Sequence, residues 1–326
     1  MGVSSAIGKG MTMKSHHVGL LFVMLGVATA WAAQSKTKPV TNPAALELPG
    51  AEQLTYKTIG DTQLSLFVFQ PKDHKAGDKR PAIVFFHGGG WKGGSPTVFM
   101  PQCRYLADRG MVTITVQYRL APVVKADGCV RDAVSALRWV RANAARLGID
   151  PDRIAAGGGS AGGHLAAATA FIEGFDEPGE DMKISHRPNA LVLFNPALVL
   201  APVKGVNIKA RKEDQSETAL VQRMGVDPIK LSPYHHIKAG APPTVIMHGT
   251  ADTTVPFITV EVFTKAMKAA GNRCELIPYE GRQHSFFNMN KSRDDFVATL
   301  KETDKFLASL GYLHGPPQVE KVLQKL

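Results

Sequence analysis

Short apolar runs, bounded by glycine and proline, recur along this chain and alternate with longer stretches of helical spacing. Ala82 to Phe86 is almost continuously apolar, as expected of a strand covered on both faces. Met111 to Tyr118, Arg153 to Ala156, Asn189 to Phe194, Thr244 to His248 and Cys274 to Tyr279 read as further strands. Leu54 to Ile59 and Gln63 to Gln70 flank Gly60-Asp61 as a hairpin. Helices are predicted over Val98 to Arg109, Asp127 to Leu147, Ser160 to Ile172, Thr259 to Ala270 and Arg293 to Leu310. Gly110, Gly148 and Gly271 close three of them. Ala197 to Ala241 reads as irregular, with a polar patch from Lys209 to Glu217, and a short tail follows the last helix. Strands alternating with helices after an opening hairpin predict an α/β fold, a mostly parallel sheet with helices on both faces. No Pro/Gly-rich linker divides residues 53–326, which read as one domain.

The first residues do not belong to this pattern. Lys9 and Lys14 precede an apolar run from Val18 to Ala30, and Ala28-Thr29-Ala30 and Ala30-Trp31-Ala32 offer small-residue cleavage patterns. Charge, apolar run and small residues in this order predict a secretory signal peptide over residues 1–32, with an uncleaved N-terminal anchor as the alternative. Met11 or Met13 would begin a tidier signal. Residues 33–52, with prolines at 39, 43 and 49, form an extended lead-in.

Composition narrows the classes. At 44% hydrophobic and 20% charged, the 326-residue chain has the balance of a protein with a core, against disorder or a collagen-like repeat. The net charge of +10 raises nucleic acid as a partner. Residues 1–32 hold two lysines and no acid, so the rest carries +8. The longest basic patch, Lys204 to Lys212, is interrupted and followed by acids, so it reads as solvated surface. After signal cleavage no stretch is apolar enough for a membrane span. Cys103, Cys129 and Cys274 exclude a disulfide-rich scaffold. Either two of them pair and one stays free, or all three are buried thiols. None has a Cys or His neighbour at metal-ligand spacing, and no metal or cofactor is expected.

Candidate chemistry gathers where strands end. Gly158-Gly159-Ser160-Ala161-Gly162 follows a short apolar strand and opens a helix. A serine in so tight a turn needs small neighbours, and its hydroxyl then stands at a helix N-terminus. There the Ala161 N–H can meet a developing oxyanion. His87-Gly88-Gly89-Gly90 ends the apolar strand at Phe86, and the Gly88 and Gly89 N–H groups can join Ala161. His87 itself reads as a structural hydrogen-bonding residue. A serine nucleophile needs a base, and the base an orienting acid. Asp252 and His284 each lie just past a strand, where open α/β sheets form their sites. His248 is the rival base, set too close to Asp252 and better suited to supporting its loop. Asp227 is the rival acid, with no strong strand before it.

These elements resemble the α/β-hydrolase superfamily, and within it the HGGG-motif esterases of the hormone-sensitive-lipase-like group. The resemblance is carried by His87 to Gly90, Tyr118-Arg119-Leu120-Ala121-Pro122, Asp132, Gly158 to Gly163, Asp252 and His284. It implies an eight-stranded α/β-hydrolase fold, Ser160 as nucleophile, His284 as base, Asp252 as its partner, and Gly88, Gly89 and Ala161 as oxyanion donors. Two departures stand out. Gly159 occupies a position that is usually Asp in that group, which would reshape or loosen the pocket. Residues 34–52 are too few for the group's two-helix cap, so the chain looks more like compact secreted bacterial acetyl-xylan and feruloyl-type carbohydrate esterases. The expected substrate is a small-molecule or polysaccharide ester with a short acyl group. Within the fold the rivals are a peptidase and an arylformamidase, and outside it a non-catalytic binding module.

Overall fold

The computed structural model describes residues 46–75, 77–208 and 217–323. The signal-peptide and start-codon expectations, and the lead-in before residue 46, lie outside these residues.

The opening hairpin pairs β1 (Glu52–Ile59) with β2 (Thr62–Phe69), and Gly60 at φ 55° makes its turn. Then come β3 (Arg80–Phe86), α1 (Met100–Asp108), β4 (Val112–Val116), α2 (Ala126–Ala142), β5 (Ile149–Gly159) and α3 (Ala161–Phe171). The second half adds β6 (Ala190–Phe194), α4 (Glu217–Met224), β7 (Thr244–Gly249), α5 (Phe257–Ala269), β8 (Cys274–Tyr279), α6 (Arg293–Ser309) and α7 (Val319–Leu323). Among the described residues eight strands form one sheet in the order β1-β2-β4-β3-β5-β6-β7-β8. Only the β1–β2 and β2–β4 pairings are antiparallel.

Alternate residues of β3 feed two cores. Val84 and Phe86 pack with residues of α2, α3 and α5, whereas Ile83 and Phe85 pack with residues of α1 and α6. This two-sided burial is why the central strands lack polar alternation. Helix α3 is buried along its whole length, which its run of alanines and glycines allows.

Several sequence boundaries move. The short strand expected at Arg153 to Ala156 runs from Ile149 to Gly159, because its glycine end pairs with β3 and β6. The helix expected to reach Leu147 stops at Ala142, where Asn143 caps it at φ −101° and turns follow. The segment read as irregular between β6 and β7 holds α4 and 3₁₀ turns at Pro228–Leu231 and Pro233–His236. The tail contains α7. Of the two cysteine alternatives the second holds: all three thiols are free and buried.

A buried charge cluster ties the hairpin to the helical layer. Asp132 of α2 is fully buried and accepts from Arg119 Nε and Nη2 at 2.8 and 2.7 Å and from Lys57 Nζ at 2.8 Å. Lys57 also donates to Ser135 Oγ at 3.0 Å and Glu177 Oε2 at 2.6 Å. Removing one partner of such a cluster leaves the others charged and dry. Asp132→Ala should therefore destabilise the fold by about 3–5 kcal/mol, read as a lower urea midpoint. A midpoint unchanged within error would refute this role.

Candidate active site

The site is built at the carboxyl ends of adjacent strands. Register sets Phe86 beside Gly158, Gly159 beside Phe194, Phe194 beside Met247 and Gly249 beside Tyr279. The loops that follow β3, β5, β7 and β8 therefore emerge at one rim.

Ser160 links β5 to α3 at φ 55° and ψ −120°, a strained conformation for a residue with a side chain. The flanking glycines make the turn possible by close approach. A Cβ on Gly162 would stand 2.0 Å from the Phe86 carbonyl oxygen, and one on Gly158 would stand 2.4 Å from the Gly162 oxygen. The turn is held from outside by Ser160 N–H donating to Phe194 O at 3.0 Å.

Ser160 Oγ lies 2.9 Å from Nε2 of His284, and Nδ1 of His284 lies 2.6 Å from Oδ2 of Asp252. The three residues are 124 and 32 positions apart in the chain. Asp252 Oδ1 accepts the N–H groups of Thr254 and Val255 at 2.8 and 2.9 Å. Burial pushes this carboxyl up, but hydrogen bonds from His248 and His284 and the His284 charge outweigh it and hold it well below the usual carboxylate range. Asp252 thus stays ionised at neutral pH and can orient an imidazolium.

The glycine loop lies against the serine. A Cβ on Gly88 would stand 3.3 Å from Cβ of Ser160, and Gly89, at φ 122°, has Gly93 O where its Cβ would be, 2.2 Å away. Among the described residues, the N–H groups of Gly88, Gly89 and Ala161 have no protein acceptor. His87 is turned away from this work. Its Nδ1 meets Gly88 O at 2.8 Å and its ring stacks on Tyr118 at 4.3 Å, while burial pushes it down to about 4 and keeps it neutral.

Trp91, at φ 61°, donates Nε1–H to Nδ1 of His164 at 3.2 Å, and His164 Nε2 donates to Leu231 O at 2.7 Å. This relay joins the glycine loop to the 3₁₀ turns through α3. His248 Nε2 meets Val255 O at 2.9 Å and Asp252 Oδ2 at 3.3 Å, so it braces the acid loop and does not reach the serine. Asp227 caps the Pro228–Leu231 turn by accepting from Ile229 N–H at 3.0 Å. Of the looser or reshaped pocket expected from Gly159, the structure shows the space taken by the Phe287 ring, with Cζ 2.5 Å from where a Cβ would stand. No local sequence pattern marks the Trp91–His164 or Gly159–Phe287 pairings, because each joins a loop to an element distant in the chain.

Residues 66–267 match the family BD-FAE. The chain belongs to the BD-FAE family. Its sheet is the α/β-hydrolase fold of solved esterases. Thermogutta terrifontis esterase 2, solved phosphonylated by sarin, superposes with a TM-score of 0.80 at 49% identity, over 83% of this chain and 98% of that one. The same esterase with butyrate bound gives 0.77 at 50% identity, over 82% and 96%. Among curated proteins, carboxylesterase NlhH of Mycobacterium tuberculosis is 39% identical over 147 residues, 45% of this chain and 44% of that protein. The probable carboxylic ester hydrolase LipM of the same organism is 28% identical over 253 residues, 71% and 54% respectively. The chain spans about half the length of these two curated relatives.

Asp252→Asn keeps the shape but offers an amide where the imidazole needs an acceptor. Loss of the equivalent acid in a protease triad costs about 10⁴-fold in kcat. The same substitution here should lower ester turnover by roughly three to four orders of magnitude with the thermal midpoint retained. Turnover above a tenth of the parent's would contradict the geometry.

Proposed function

We propose that this BD-FAE member is a serine carboxylic-ester hydrolase acting through an acyl-enzyme on short-chain acyl esters. The observation that carries the reading is the continuous chain of contacts from Ser160 Oγ through His284 to Asp252, at 2.9 and 2.6 Å. Ser160 Oγ attacks the ester carbonyl carbon while His284 Nε2 takes the hydroxyl proton. The carbonyl oxygen becomes an oxyanion beside Gly88, Gly89 and Ala161, whose N–H groups have no acceptor among the described residues. A donor of this kind is worth about 3–4 kcal/mol at the transition state. The imidazolium returns its proton to the leaving alcohol, and the acyl group stays on Ser160 Oγ. Water then attacks the acyl carbon with His284 again as base, releasing the acid and restoring the serine.

The short acyl chain is supported by the esterase neighbours solved with propionate and butyrate. An acetyl or feruloyl ester of a carbohydrate is the natural alcohol class we favour. The resemblance to compact secreted carbohydrate esterases, carried by His87 to Gly90, supports it. The export expected from residues 1–32 fits a substrate outside the cell.

Hydrolysis of p-nitrophenyl acetate, butyrate and decanoate tests the reading, together with acetylated xylan. Activity should fall with chain length, disappear in a folded Ser160→Ala variant, and be lost on stoichiometric labelling by paraoxon. Turnover surviving in Ser160→Ala would remove the nucleophile assignment. Preference for decanoate would remove the substrate class, and selective cleavage of a peptide or an aryl formamide would move the chain to another reaction within the fold.

A further inference from the structure

Gly159 and Phe287 share one volume. A Cβ on Gly159 would stand 2.5 Å from Cζ of Phe287 and 3.0 Å from Cε1. Carbon atoms in contact keep about 3.5–4.0 Å apart, so a methyl there and the ring as it lies exclude each other. The ring cannot retreat cheaply. It is 3% exposed and stacks on Phe194 at 4.7 Å and on Phe99 at 5.9 Å between centroids. Phe194 is also the residue whose carbonyl receives the Ser160 N–H. The ring is thus wedged between the turn that carries the nucleophile and the strand end that holds this turn.

Phe287 lies three residues after His284 on one short loop. Ser285 within it sits at φ 65° and donates its N–H to Asn195 Oδ1 at 3.1 Å. Asn195 directly follows Phe194. The base-bearing loop is therefore fastened beside the serine turn at two points, by a hydrogen bond from Ser285 to Asn195 after β6 and by the fit of Phe287 against Gly159.

We infer that Gly159 and Phe287 are positioning residues: the missing Cβ at 159 is a socket for the Phe287 ring, and its occupancy sets His284 Nε2 at hydrogen-bond distance from Ser160 Oγ. The inference rests on the proposed roles of Ser160 and His284. Misplacing a reacting group by about 1 Å costs on the order of a hundredfold, so the fit should be visible in turnover.

Four variants in the full chain test it with a p-nitrophenyl ester. Gly159→Ala should lower kcat by about tenfold or more with KM little changed. Phe287→Tyr, which extends the atom nearest Gly159, should act in the same direction. Phe287→Leu shortens the side chain and should cost less, about threefold. Gly159→Ala combined with Phe287→Leu should turn over faster than Gly159→Ala alone, since the shorter side chain makes room for the methyl. A second readout needs no substrate: the low-field proton resonance of the His284–Asp252 hydrogen bond should shift in Gly159→Ala and Phe287→Tyr and move back in the double variant. A purely structural pair would lower the thermal midpoint and leave kcat and the resonance alone. That result, or a double variant no faster than Gly159→Ala, would overturn the inference. Should Gly159→Ala not fold, Phe287→Tyr and the double variant decide it. A parent protein inactive on every ester would count against the proposed function, and the resonance would still test the pair.

Discussion

The tight turn from β5 into α3 is the constraint on which the rest of the site depends. Ser160 can take φ 55° only because the residues around it have no side chains in the way. Gly162 lies so close to the end of β3 that any Cβ would enter the Phe86 carbonyl. That contact does two things at once. It seats α3 against the sheet, and it brings the glycine loop after β3 alongside the serine. The same close packing that stabilises the centre of the sheet therefore brings together the two groups of N–H donors proposed to form an oxyanion site.

Around this turn the polar groups are arranged in layers of restraint. Asp252 is held by two backbone N–H groups before it touches His284. His248, next to the acid loop in sequence, lies 3.3 Å from the same Oδ2 that His284 touches. The His164 imidazole, four residues after Ser160, ties Trp91 of the glycine loop to Leu231. Burial holds His164 down to about 4, so it stays neutral and its hydrogen-bond pattern stays fixed across the neutral range. Rigid supports of this kind are what a preorganised site requires, since a loosely held base or donor loses most of its effect.

The departure at Gly159 illustrates how a sequence change is absorbed by its surroundings. Read along the chain, a glycine before Ser160 suggests a looser or reshaped pocket. In the fold the space is taken by an aromatic ring delivered from a loop 128 positions later, and the result is a packed contact. A glycine in a sequence is thus a statement about available space, and only the neighbours decide whether that space is empty.

Much of the architecture was legible in the residues themselves. Continuous apolar runs marked the central strands, Gly110 and Gly271 marked two helix ends, and the motif at Ser160 marked a strand–turn–helix, because each depends on neighbours in sequence. Asp252 and His284 were readable as candidates through their positions after strands. The same positions favoured them over His248, His87 and Asp227, and strand register, which aligns the ends of β5, β7 and β8, brings the three distant loops within hydrogen-bond reach. Helix α4, the glycine-ended extension of β5, the buried Asp132 cluster and the Phe287 socket were beyond local pattern. Each is stabilised by partners far away in the chain, and such partners are chosen by packing, which a one-dimensional pattern does not record.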